Sequence, residues 1–388
     1  MKSGSAIVLI LLFGCVGLGQ SGRVHLPDVP RSETPGLSED DAFFPYFYLS
    51  DSAKPFKNAN DAEDKIAKFT RVIDKGEKNV AVSYNNRAVI YADTARFDLA
   101  IADLEKALAS HENDVTVLNN EGYVLMLMGR YTDAVAEFDK ALAKDPNDAT
   151  VLANRASALQ QSGHGGQALE DLNKAIAADP NNALLYNNRA TFYLSAGDLA
   201  AAKSDLEKAV EIDPKQATAL SNLSELFNLR GDWETSVSMA TRAISADSRS
   251  AVAYSNRGLA YYRMGKMDAA LRDFDKAIEY DPRLPRAWNN RANVFIDRGD
   301  YVSAKRDVDH AIELDANDPT SYNTRGNVYM YLKEWRLAIL DYTKALEIHP
   351  KMIMCYQSRA IAYDELGDKA KAADDRRKYV EMGGKPDH

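Results

Sequence analysis

Two cysteines in 388 residues leave nothing from which to build a disulfide framework. Glycine (21) and proline (13) are sparse, which excludes collagen-like and Pro/Gly-rich low-complexity architectures. Positive charge is in the minority, with 48 Lys and Arg against 57 Asp and Glu, a formal net charge of −9 and a pI of about 5.3. A general binder of nucleic acid or of anionic membranes carries a basic stripe, so both classes are disfavoured. No apolar run approaches the roughly 20 residues that span a bilayer. The histidines His25, His111, His164, His310, His349 and His388 have no metal-ligand spacing. There is no glycine-rich phosphate loop and no nucleophile elbow. No metal, no cofactor and no catalysis are therefore expected.

What is present begins at the N-terminus. "MKSGSAIVLILLFGCVGLGQ" has one cation, Lys2, an apolar run from Ala6 to Phe13, and small residues after it. This is the pattern of a secretory signal, assigned to residues 1–19 with cleavage after Gly19. A second reading stands beside it. "LFGC" at 12–15 is similar to a bacterial lipobox and would place a lipid on Cys15, although Phe13 is unusual there. Either reading makes the chain exported, periplasmic or lipid-anchored in the envelope, with membrane contact only through that lipid. Residues 20–57 carry Pro27, Pro30, Pro35, Pro45 and Pro55 and read as a tether. Its aromatic run "AFFPYFYL" at 42–49 is costly to expose. Docking against the first helices is expected, with groove self-occupation or a homodimer contact as alternatives. Residues 58–80 read as an N-terminal cap helix, with Ile66 and Ile73 on the second-helix register of a missing repeat.

From Ala81 to Pro386 the chain repeats every 34 residues, nine times, without insertion or deletion. Units begin at Ala81, Val115, Ala149, Ala183, Ala217, Ala251, Pro285, Pro319 and Ile353. A period of that size means stacked supersecondary units, and within each unit the apolar spacing is helical in two runs. Glycine ends the first run at position 15 in most units (Gly129, Gly163, Gly197, Gly231, Gly265, Gly299, Gly367), where it supplies a left-handed conformation. Position 4 is bulky (Tyr84, Leu118, Leu152, Tyr186, Leu220, Tyr254, Trp288, Tyr322, Tyr356). Position 8 is small (Ala88, Gly122, Ala156, Ala190, Ser224, Gly258, Ala292, Gly326, Ala360). Alanine dominates positions 20 and 27.

On these residues the chain resembles the tetratricopeptide repeat family over about four-fifths of its length. The resemblance implies an all-α solenoid: nine helical hairpins behind the cap helix, winding into a superhelix with a concave groove. The last helix, "KAADDRRKYVEM", suits a solvated end.

Position 7, usually leucine in that family, is arginine in seven units: Arg87, Arg155, Arg189, Arg257, Arg291, Arg325 and Arg359. Antiparallel helices turning near position 15 bring position 7 against position 23, which in those units is Asp103, Asp171, Asp205, Asp273, Asp307, Asp341 and Asp375. In the fifth unit both change together, to Leu223 and Met239. Such covariation predicts part-buried structural ion pairs, since exchanging both ions for hydrophobes is tolerated where losing one is not. The second unit departs, with Glu121 facing Glu137. The register explains that pair better than an acid/base dyad would, and each glutamate is expected to reach a neighbouring arginine, Arg87 or Arg155.

The resemblance also implies that positions 2, 5, 6, 9, 12 and 13 line the groove. Position 6 is Asn86, Asn120, Asn154, Asn188, Asn222, Asn256 and Asn290. Position 9 adds Asn293 and Asn327, and position 5 adds Asn85, Asn119, Asn187, Asn289 and Asn323. An amide row suits the backbone of an extended peptide, and packing one hairpin on the next is the alternative. Tyr123, Tyr262 and Tyr331 supply rings. Arg263 and Arg286 are outnumbered by Asp93, Glu225, Asp297, Asp364 and Glu365. The lysine and arginine set with which chaperone-binding relatives clamp a C-terminal carboxylate is missing. Cys355, at position 3, is expected to be a packed thiol. The expected function is a non-catalytic adaptor for a protein or peptide ligand. A glycan- or cell-wall-binding module and a self-assembling, homo-oligomeric scaffold are the alternatives.

Overall fold

The computed structural model describes residues 59–76, 80–110 and 114–385. The signal segment, Cys15, the tether with its aromatic run, and His25, His111 and His388 lie outside the described residues. Within them the chain forms nineteen helices and no strand. They fall into two compact units, 59–219 and 220–385, divided inside one helix. The first unit holds α1 (Ala59–Lys75), α2 (Val80–Asp93), α3 (Phe97–Ser110), α4 (Val115–Leu127), α5 (Tyr131–Lys144), α6 (Ala149–Gln161), α7 (Gly165–Ala178), α8 (Ala183–Ala196) and α9 (Leu199–Ile212). The boundary falls in α10 (Ala217–Arg230). The second unit continues with α11 (Trp233–Ala246), α12 (Ala251–Arg263), α13 (Met267–Tyr280), α14 (Pro285–Asp297), α15 (Tyr301–Leu314), α16 (Pro319–Tyr331), α17 (Trp335–Ile348), α18 (Ile353–Glu365) and α19 (Lys369–Glu381).

After α1, even-numbered helices are the first and odd-numbered helices the second of each repeat. The starts are chemically marked. Asp114, Asp148 and Asp318 each accept hydrogen bonds from two backbone N–H groups of the first helix they cap, an arrangement worth about 1 kcal/mol per cap. Asp198, Asp232, Asp300 and Asp368 cap second helices, each accepting from one backbone N–H. The turn between helices needs a left-handed residue, and the seven position-15 glycines have φ between 74° and 84°. Ala95 and Lys333 occupy that position in the first and eighth repeats and are forced to φ 60°.

Two rows of alanine let the helices of a hairpin approach. Ala100, Ala134, Ala168, Ala202, Ala270, Ala304, Ala338 and Ala372 at position 20 are fully buried, as are the position-27 alanines from Ala107 to Ala345. A second packing rule joins positions 8 and 24. Where position 8 is glycine, position 24 is a ring: Gly122 with Phe138, Gly258 with Phe274, Gly326 with Tyr342. A Cβ added to these glycines would stand 2.6, 2.8 and 2.7 Å from the ring. Where position 8 is alanine, position 24 is mostly an aliphatic residue that fills the space instead: Leu104, Leu172, Leu206 or Val308, all buried. In the fifth repeat positions 8 and 20 are Ser224 and Ser236, and each hydroxyl donates to the other's carbonyl, at 3.0 and 2.9 Å. Interiors tolerate volume changes only when they are matched, and positions 8 and 24 carry two matched solutions.

At the N-terminal end, α1 buries Ala62, Ile66 and Phe69 against Ile90 and Tyr91. Ile73 is half-buried.

Candidate functional site: the first-helix face and its ladders

Each of the seven position-7 arginines forms the same fork. Nε donates to one oxygen of the position-23 aspartate at 2.6–2.8 Å, and Nη2 to the other at 2.8–3.0 Å. The aspartates are at most 6% exposed, so their charge is tolerable only because the guanidinium faces it bidentately. The remaining nitrogen, Nη1, reaches back to the preceding second helix. It donates to Thr70, Asp139, Asn173, Thr241, Asp275, Asp309 and Thr343 respectively, at 2.6–3.3 Å. Every arginine therefore joins three helices. Six also lie against the position-4 ring of their own helix, at 5.0–5.8 Å: Tyr84, Tyr186, Tyr254, Trp288, Tyr322 and Tyr356. Hydrogen bonding to Asp341 raises the pKa of Arg325, and Asp205 does the same for Arg189. These side chains are fully committed within the fold.

The two departing repeats differ in kind. In the fifth, Leu223 is buried and Met239 half-buried, an apolar substitute for the pair. In the second, neither glutamate reaches an arginine, contrary to expectation. Arg155 turns instead to Asp171 and Asp139, and Arg87 to Asp103 and Thr70. Glu137 is held by Lys140, one turn along its own helix, at 2.8 Å to both oxygens. Burial, and then the charge of Glu137, push the Glu121 carboxyl up to about 7.

The asparagine row is also corrected. Asn86, Asn120, Asn154 and Asn256 are at most 4% exposed and bond to one another or to the preceding repeat. Asn120 Nδ2 donates to Asn85 Oδ1, and Asn154 Nδ2 to Asn119 Oδ1, each at 2.8 Å. Asn256 Nδ2 donates to the Ser221 carbonyl, and Asn85 Nδ2 to Asn86 Oδ1. The spacing is 35 residues, one repeat plus one, so position 6 of one repeat meets position 5 of the one before. These amides pack hairpins together and are withdrawn from any guest. Asn188 is the informative failure. Its counterpart in the preceding repeat is Ala153, which offers no side-chain acceptor, and Asn188 Nδ2 is buried without a hydrogen bond. At position 9, Asn293 donates to the Asn289 carbonyl of its own helix and Asn327 accepts from the Tyr342 hydroxyl at 2.7 Å. Asn222 and Asn290 are half-buried.

What the first-helix face leaves open lies nearer the turn. Tyr123 and Tyr262 are half-buried, and Tyr331 is 58% exposed. Tyr331 is nonetheless held flat against Tyr301, with ring centroids 5.1 Å apart at 10°. Tyr262 donates to Asp297 at 2.8 Å, again across 35 residues, and Gln160 donates to Ser195 with the same spacing. Burial and then Asp297 raise the Tyr262 pKa, so the phenol stays neutral. Arg286 donates to Glu225 at 3.2 Å, linking the fifth and seventh repeats. Asp364 is paired with Lys369 and Arg376. The mild acidity read from these positions is thus partly neutralised by pairs that no local pattern announces. Cys355 is buried, donates its S–H to Asn323 Oδ1 at 3.2 Å, and has its pKa pushed up by burial to about 12, the opposite of a nucleophile. His310 lies edge-on to Trp288 at 4.5 Å and within 3.1 Å of Glu313. Among the described residues no group of three acidic, histidine or cysteine side chains could hold a metal ion, and no helix is long and apolar enough to cross a membrane.

Tetratricopeptide repeat profiles match residues 85–149, 125–191, 183–216, 251–284, 285–318 and 319–352. No curated protein matches the chain by sequence. Among solved structures, the APC/C hetero-tetramer Cut9–Hcn1 is similar with a TM-score of 0.60 and 15% identity, over 82% of this chain and 79% of that one. Human IFIT1, solved as a dimer with m7Gppp-AAAA, gives 0.57 and 17% over 84% and 87%. A tetratricopeptide repeat protein from Parabacteroides merdae gives 0.50 and 21% over 69% and 98%.

Proposed function

The chain belongs to the tetratricopeptide repeat family, and from that premise we propose that it is a non-catalytic adaptor of the bacterial envelope that holds extended segments of partner proteins on its first-helix face. Protein–protein interaction is the general work of this fold. The observation that carries the finer reading is Tyr331: a ring 58% exposed yet stacked on Tyr301. A rigid, amphipathic ring contributes contact area at little entropic cost on binding. Asn85, Asn119, Asn120, Asn154 and Asn256 drop out of this reading, because their amides bond between repeats. An RNA ligand, such as the one in the IFIT1 structure, is disfavoured by the net charge of −9, since phosphate binding is driven by cations.

The test is capture of partners from envelope extract by the immobilised chain, compared with Tyr331→Ala. Partners lost in the variant, with its thermal melt unchanged, support the adaptor. Capture indifferent to Tyr331 refutes the assigned face. Binding of muropeptides alone would move the function to glycan recognition, and a concentration-dependent mass without any partner would move it to self-assembly.

A further inference from the structure

The second repeat interrupts the arginine ladder with charge of the wrong sign. In seven of the other eight repeats a guanidinium sits between an acid sixteen residues ahead and an acceptor sixteen or seventeen behind. In the second repeat all three stations are carboxyls: Glu121 in the middle, Glu137 ahead, Glu105 behind. The surrounding charges do not replace the missing guanidinium. From α5, Lys140 is bound to both oxygens of Glu137. In the turn before it, Arg130 is bound to Asp133. From α3, Glu105 adds negative charge, while Lys106 stands 3.9 Å from Asp103 and over the Tyr84 ring. From α2, Arg87 is spent on Asp103 and Thr70, and from α6, Arg155 on Asp171 and Asp139. Apart from Glu121, α4 itself carries no charge.

We propose that this repeat is a proton-operated rung. When Glu121 takes a proton from solvent, its hydroxyl donates to the Glu137 carboxylate and fills the donor role that arginine has elsewhere. When Glu121 is ionised, carboxylate faces carboxylate and the α4–α5 hairpin is weakened. The carboxyl held up at about 7 by burial and by Glu137 places the switch near neutrality, where a modest acidification stiffens the array. Solenoid repeats contact mainly their neighbours, so one weak rung changes local opening without unfolding the rest.

Hydrogen exchange of the full chain at pH 5.5 and 7.5, corrected for intrinsic exchange, reads the device directly. Peptides of α4 and α5 are expected to be about tenfold more protected at pH 5.5, from proton linkage discounted for partial exposure, while α12 and α13 stay constant. Glu121→Gln, neutral at both pH values, should abolish the difference, as should Glu121→Arg combined with Glu137→Asp. A wild-type chain with no α4–α5 difference would overturn the proposal. So would a pH response in Glu121→Gln as large as in wild type, or one shared equally by α12 and α13.

Discussion

Arg189 and Asp205 are joined by two parallel hydrogen bonds, Nε to Oδ2 at 2.7 Å and Nη2 to Oδ1 at 2.8 Å. The third contact of this arginine is to a neutral group, Asn173, so removing Arg189 orphans one carboxylate only. Arg189→Leu should therefore cost about 3–5 kcal/mol, the usual consequence of leaving a buried charge unpaired. Adding Asp205→Met recreates the Leu223 and Met239 solution of the fifth repeat and should recover most of the loss. Urea denaturation of the single and double variants is the check. A double variant as weak as the single one would show that the pair is not interchangeable with hydrophobes.

A second exchange tests packing without charge. Gly258→Ala places a methyl 2.8 Å from the Phe274 ring and should destabilise by about 1–3 kcal/mol through overpacking. Phe274→Leu in the same chain reproduces the Ala156 and Leu172 combination of the third repeat. It should restore stability to within about 1 kcal/mol of wild type, as volume-conserving exchanges usually do. Thermal melts of the variants decide it, and additive losses would refute size matching.

The turn at Lys333 is strained, with φ 60° in a residue that has a Cβ. Its side chain is exposed. Lys333→Gly should stabilise by roughly 0.5–1 kcal/mol, because six other first helices of the second to seventh repeats, and that of the ninth, already end on glycine in this conformation. The reverse change, Gly265→Ala, should destabilise by a similar amount. Both are measurable as shifts in the denaturation midpoint.

How far these features could be read from letters depends on whether a residue type reports its environment. A period of 34 and the alanines of positions 20 and 27 were legible because only close helix packing demands so small a side chain so regularly. The Arg–Asp fork was legible because positions 7 and 23 change together, down to Leu223 and Met239. The third contact was not, since the acceptor it uses is aspartate for three of the arginines, threonine for three and asparagine for one. Asn120 and Asn154 misled because asparagine is written the same way whether it faces a guest or another asparagine. Only knowing that position 6 meets position 5 of the preceding repeat separates the two. Gly122 with Phe138 was open to inspection but meaningless until position 8 was seen to face position 24. Tyr262 with Asp297, and Arg286 with Glu225, join repeats whose pairing no local pattern announces.

Glu121 makes the last prediction, and its sign follows from which state holds the proton. The carboxyl sits at about 7 in the folded chain against 4.5 when unperturbed. Between those values the folded state binds more protons than the unfolded one, so stability falls as pH rises through that window and levels off above it. Glu121→Gln cannot ionise and lacks this slope. Wild type and variant should be nearly equal at pH 4.5. By pH 8 the variant should be more stable by about 1–2 kcal/mol, a figure reduced from the full shift because Glu121 keeps partial contact with water. Other carboxyls titrate in both proteins and cancel in the difference. Urea denaturation at the two pH values measures it. A difference that does not grow with pH would mean that Glu121 is ionised throughout and that the second repeat is merely weak.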